Sequence, residues 1–288
     1  MTGNKLMPTA PAIRLMTPAD APFAMRLKTQ ARWNQTEADW SRFLAMAPAG
    51  CFVADCAGEP VGTVVTCDFN GVAWVAMMLV DERVRRRGVG AALLRHALEH
   101  LDGQRVASVR LDATPMGQPM YEHFGFAAQF GLTRYAGRPR AEPSAHPTEA
   151  FAPWQLDMIG ELDRWATCTD RRALLSHLLP ACAASTRVVT AESAVIGYAT
   201  ARPGSDATQI GPCIARIAGA GRGLLADALH RCTGAPVILD VPVANRAAVA
   251  LAESAGLVPQ RALTRMVRGR PVMERIEALW ASSGPELG

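Results

Sequence analysis

The chain has 288 residues, enough for two domains of ordinary size or one large one. Its composition, 49% hydrophobic and 19% charged, is that of a globular protein, and a net charge of +4 is too small to argue for a nucleic-acid partner. Seven cysteines with no C-x-x-C pair and six histidines with no H-E-x-x-H spacing argue against a disulfide framework and a zinc site, so no metal is expected.

The first residues, MTGNKLMPTAPAIRLM, lack the apolar core of a signal peptide, and no apolar run approaches the roughly 18 residues of a membrane span. A cytoplasmic protein without a membrane partner is expected. Residues 1–10 read as a loose tail and residues 13–15 as a first strand. Pro18-Ala19-Asp20 starts a helix towards Arg32, which Trp33-Asn34-Gln35-Thr36 breaks. Thr36, with Asp39 three residues on, opens a second helix as a capping box in which Asp replaces Glu or Gln. Residues 52–54 and 61–67 read as strands joined by a turn at Gly58-Glu59-Pro60.

Val72–Val80 is an unbroken apolar run of strand length, the pattern of a strand buried on both faces. Leu93, Leu94, Ala97, Leu98 and Leu101 then recur at the three-and-four spacing of an amphipathic helix. Between them lies Arg85-Arg86-Arg87-Gly88-Val89-Gly90. The arginines alone would read as a solvated loop. The two glycines let backbone approach a ligand closely, and the helix start points free N–H groups at it. Together these make a site for phosphate. A strand at residues 108–112, a short helix holding Met120 to Phe124 and ending at Gly125, and a strand near Thr133 follow.

Pro139, Pro143, Pro147 and Pro153 punctuate a polar segment that reads as a linker over 137–153. The second half then repeats the first at an offset of 131 residues. GVGAALLRHAL from Gly88 recurs as GAGRGLLADAL from Gly219, and Arg85 falls on Arg216. Met120 to Phe126 falls on Leu251 to Leu257, and Leu132-Thr133-Arg134 on Leu263-Thr264-Arg265. Two domains of one α/β fold are expected, over 12–136 and 154–272, with a C-terminal tail over 273–288.

The form R-x-x-G-x-G at Arg85, Gly88 and Gly90, with the buried strand before it and LDATPMGQPMYEHFGF at 111–126 after it, resembles the GNAT superfamily of N-acetyltransferases. The second half resembles the divergent acetyltransferase-like domain of tandem GNAT proteins. The resemblance implies two tandem domains, each a mixed, mostly antiparallel sheet flanked by helices. It implies acetyl-CoA as co-substrate, its pyrophosphate on Arg85, Arg86, Arg87, Gly88, Val89, Gly90 and Ala91. The pantetheine arm would run beside Met77, Met78, Leu79 and Val80, pairing as an added strand does. The N–H near Met78 would polarise the thioester carbonyl. Tyr121 matches the family tyrosine that lies near the coenzyme sulfur, where it would hydrogen-bond or protonate the departing thiolate.

The chain departs from the family where many members carry a glutamate base on the central strand, since residues 73–79 hold no ionisable side chain. Asp112 is the candidate for binding or deprotonating the acceptor amine; its plainer reading is a cap on the following turn. Trp33, Asn34 and Gln35, read as an exposed aromatic beside two amides, are expected to shape the acceptor pocket. The second domain has Ala252 where the first has Tyr121, so it is not expected to catalyse transfer. The acceptor is expected to be a primary amine of a small molecule or peptide, and a homodimer is left open. The competing readings are a non-catalytic acyl-CoA sensor and a nucleotide binder, the latter lacking a G-K-[ST] or full G-x-G-x-x-G motif.

Overall fold

The computed structural model describes residues 11–288; the expected N-terminal tail, 1–10, lies outside them. The described residues divide into two compact units, one of residues 11–68 and 75–105, the other of residues 69–74 and 106–288.

In the first unit, strands β1 (Ala12–Leu15), β2 (Cys51–Cys56) and β3 (Glu59–Asp68) pair antiparallel, and β3 is followed by residues 75–80 of β4 (Val72–Val80). Helices α1 (Ala21–Gln30), α2 (Glu37–Met46) and α3 (Val89–Gly103) accompany them. The capping box predicted for α2 forms: the Thr36 N–H donates to Asp39 Oδ2 at 2.8 Å. Helix α3 buries Leu93, Leu94, Ala97, Leu98 and Leu101, the face its spacing predicts. It approaches β3 so closely that a Cβ on Gly62 would sit 2.8 Å from Leu93 Cδ1 and 2.9 Å from the Leu79 carbonyl oxygen. His96 and His100 meet Phe52 edge-on at 4.6 and 5.2 Å, so they pack the helix on β2.

In the second unit, β4 pairs parallel with β5 (Ser108–Ala113) at Val72, Ala73 and Trp74. The strand order then runs β5, β12 (Val258–Gly269), β6 (Ala127–Gly137), β11 (Val237–Pro242), β10 (Thr208–Ala215), β9 (Ala194–Arg202), β8 (Arg187–Ala191) and β7 (Glu149–Ala150). Only β4·β5 and β10·β11 are parallel among the pairings described, so the sheet is mixed and mostly antiparallel, with helices against it. Helix α4 (Gln118–His123) carries Tyr121, and α5 (Leu156–Thr167), α6 (Arg172–Ala181), α7 (Ala218–Arg231) and α8 (Arg246–Ser254) follow. The end of the expected linker is structured, since β7 pairs with β8 at Glu149 and Ala150.

The strand order contains an exchange. By sequence β6 closes the first repeat and β12 the second, yet β6 pairs with β11 and β12 with β5. Each repeat lends its last long strand to the other. The two lent strands pair with each other, and Leu132 faces Leu263, its own counterpart 131 residues on. A local two-fold relation therefore runs between them. It recurs in the ion pairs: Arg134 on β6 holds Asp240 on β11, and its counterpart Arg265 on β12 holds Asp112 on β5. Both are directly opposed cross-strand partners. Asp240 thus sits where the repeats interlock, fully buried.

Candidate active site

The first unit carries the phosphate cradle and the strand that leads to it. Strand β4 is buried over Ala73–Met77 apart from its edges, and then breaks its pleat. Met77 has φ +50°, a left-handed conformation that costs a side-chain-bearing residue about 1 kcal/mol or more. The Thr63 hydroxyl donates to the Met77 carbonyl at 2.8 Å and holds the turn in place. The residue after it, Met78, is half-buried, as is Val80, while Leu79 points into the core. The kink therefore re-aims the backbone at the position expected to meet the thioester.

Asp81 ends the strand and was not singled out from the sequence. Its carboxylate is fully buried and accepts from the Arg83 backbone N–H at 3.0 Å, from the Arg83 guanidinium at 2.8 Å and from Arg26 Nη1 at 2.6 Å. Hydrogen bonds from Arg83 and Arg26 keep it well below the usual carboxylate range despite burial. The signal was available: an aspartate directly after a buried strand, two residues before an arginine, is an Asx-turn spacing. Arg83 is thereby drawn away from any ligand, and Asp81 fixes the turn that opens the cradle.

Arg85 is tethered at the strand end, Nε donating to the Val80 carbonyl at 3.1 Å, with Glu82 3.4 Å away. Arg86 and Arg87 are exposed and have no ion-pair partner among the described residues. Arg86 at φ +61° and Gly88 at φ +82° are both left-handed, which curls the loop ahead of α3. Gly88 is the N-cap, and Ala92 N–H is the one that bonds its carbonyl, at 2.9 Å. The N–H groups of Val89, Gly90 and Ala91 lie ahead of the helix's own ladder and are free to take an anion. Val89 itself is buried and anchors this first turn to the core.

Of the acceptor candidates in this unit, Trp33 is half-buried and not exposed as expected, and Asn34 and Gln35 are buried. Turn amides at a helix junction are drawn inwards when the flanking helices pack, which composition alone does not reveal. Gln35 Oε1 is enclosed without a donor among the described residues.

The second unit carries Tyr121 and Asp112. Tyr121 is half-buried on α4, edge-on to Phe126 at 5.9 Å, with Gly117 leaving room for its ring. Its hydroxyl has no protein partner among the described residues, and burial pushes it up to about 12, so it stays protonated across the working pH range. Asp112 has a different occupation from the one expected. Both its oxygens accept from Arg265 at 2.8 Å, its side chain is wholly enclosed, and Arg265 also reaches Glu274 at 3.1 Å. Burial raises the Asp112 carboxyl while Arg265 draws it down, and both oxygens are already taken up by that guanidinium. In the structure it is an ion-pair partner that caps no turn. His123 is exposed.

Two family models match the chain, both for the acetyltransferase (GNAT) domain, one over residues 47–128 and one over residues 159–281. The chain is a tandem GNAT protein. Similar solved structures include a protein of Pyrococcus horikoshii classed as an acetyltransferase, 23% identical, TM-score 0.81, covering 100% of this chain and 99% of that one. A GCN5-related N-acetyltransferase of Sphaerobacter thermophilus is 17% identical, TM-score 0.67, with 93% and 98% covered. A tandem GNAT protein from the clavulanic acid biosynthesis pathway is 17% identical, TM-score 0.64, with 91% and 99% covered. At these identities the likeness is one of fold. No curated protein is similar to this chain in sequence. Neither a helix long and apolar enough to cross a membrane nor a metal-holding cluster of His, Cys, Asp or Glu occurs among the described residues of this tandem GNAT protein.

Proposed function

We propose that this tandem GNAT protein is an acetyl-CoA-dependent N-acetyltransferase acting on a primary amine of a small molecule or peptide, with the first domain carrying the chemistry. The observation that carries the reading is the left-handed cradle of Arg86 and Gly88 ahead of α3, with two unpaired arginines beside three free helix N–H groups. That is the chemistry of a pyrophosphate site. Acetyl-CoA supplies the thioester. The amine nitrogen attacks its carbonyl carbon, the N–H near Met78 takes the developing oxyanion, and the carbon–sulfur bond breaks as the amide forms. Tyr121, protonated, gives its hydroxyl proton to the departing thiolate, the proton shed by the attacking nitrogen passes to solvent, and the phenol regains its own proton from solvent. The first unit's β4 brings no base and Asp112 is engaged by Arg265, so the amine enters as the free base. Gln35 Oε1, an acceptor without a donor, suits an N–H-bearing substrate.

The test is thiol release from acetyl-CoA across an amine library, run beside Tyr121→Phe. Turnover with at least one amine, lowered roughly 10²-fold in the variant at unchanged acetyl-CoA affinity, is the expected result. Equal rates for the two proteins would remove Tyr121 from the reaction. The missing base favours one second reading, an acyl-CoA sensor; coenzyme binding with no thiol release over the whole library would select it.

A further inference from the structure

The second domain keeps the outline of a cradle in Arg216, Gly219 and Gly221, so the question is whether it takes a second coenzyme. Strand β10 leads into α7 as β4 leads into α3. It runs to Ala215 across an irregularity at Gly211 and Pro212. Its first residues, Thr208 and Gln209, pair parallel with β11. Its last residues do not stay on β11. Cys213 and Ile214 pair antiparallel with Ala281 and Leu279 of a short strand, β13 (Leu279–Ala281). On the other side, the Ser282 N–H donates to the Asp240 carbonyl of β11 at 2.9 Å. Strand β13 is therefore seated between β10 and β11, satisfying backbone groups of both.

The same segment covers the start of α7. The Trp280 indole lies against the helix at Gly221, where any Cβ would overlap the ring, and it is 1% exposed. Gly211 is needed for the same reason: at φ +136° it lets the Ser282 carbonyl come so close that no side chain would fit. Two glycines thus make room for one segment. Arg216, the counterpart of Arg85, is also engaged, its guanidinium 4.5 Å over the Trp165 ring, with Arg275 at 4.8 Å from the same ring.

We infer that the coenzyme slot of the second domain is filled by the chain's own residues 279–282, so that the protein takes one acetyl-CoA per chain. The inference rests on reading residues 86–91 as the acetyl-CoA cradle. The physical argument is substitution. A pantetheine arm binds this fold by offering amide groups to a strand edge, and β13 offers peptide groups to that edge already, tethered to the chain and present at all times. Where a phosphate would meet the first turn of α7, the Trp280 ring is packed, its Nε1 enclosed without a partner among the described residues.

Native mass spectrometry and hydrogen–deuterium exchange on the full chain, with saturating acetyl-CoA, test it. One adduct is expected, with slowed exchange at residues 77–91 and no change at residues 208–221 or 279–281. A second adduct, or slowed exchange at residues 208–221, overturns the inference. No adduct at all refutes the proposed function of the first domain while agreeing with a closed second slot, so the two failures are told apart.

Discussion

Replacing Asp112 separates a structural from a catalytic role. Asp112→Ala removes two 2.8 Å charge-assisted bonds from Arg265, whose side chain is 1% exposed. Removing one partner of a buried ion pair costs about 3–5 kcal/mol, because the remaining charge is left uncompensated. Glu274 still reaches Arg265 Nη1 at 3.1 Å, so the loss belongs at the lower end, about 3 kcal/mol. Asp112→Asn keeps one acceptor oxygen and turns an NH2 towards the guanidinium, a loss of about 2 kcal/mol. Urea unfolding followed by circular dichroism reads both, with the alanine variant the less stable. Replacing the pair with Asp112→Leu and Arg265→Met returns part of the loss, because both charges of the pair are gone and the buried Glu274 keeps Arg110 as its partner. A general base gives the opposite pattern. An asparagine variant that unfolds at the wild-type urea midpoint yet has lost turnover at every pH would refute the ion-pair reasoning and restore Asp112 to the chemistry.

Reversing the charge at Arg86 and Arg87 together, each to Glu, leaves the far-ultraviolet spectrum unchanged, since both side chains are exposed and unpaired. It weakens acetyl-CoA binding by roughly 10²-fold, read by isothermal titration at low salt, with the deficit shrinking as salt rises. Stability falls on the acid side. Burial alone would raise the Glu274 carboxyl, but Arg265 and Arg110 hold it down to about 2 from the ordinary 4.5, and a hydrogen bond from Arg14 holds Asp20 near 2. Between those values the unfolded chain binds more protons than the folded one, so this stabilisation is complete above pH 4.5 and is lost as pH falls towards 2. Melting temperature against pH checks it, and Glu274→Gln flattens that part of the curve.

The amino-acid sequence by itself determined the local elements of the cradle. An unbroken apolar strand, two glycines and a three-and-four leucine spacing are short-range patterns, and β4, the left-handed Gly88 and the buried face of α3 follow from them. The repeat at an offset of 131 residues also announced two copies of one fold. It could not announce the exchange of β6 and β12. Two copies of one strand satisfy the same alternation and the same hydrogen bonds, so only the packed whole decides which copy lies on which neighbour. The exchange in turn brought Arg265 to Asp112 across 153 residues and tied up both carboxylate oxygens. Residues 273–288 read as a tail for the same reason: a strand of three residues has no period to detect. Its place between β10 and β11 exists only once those strands diverge, and that divergence is decided by tertiary packing.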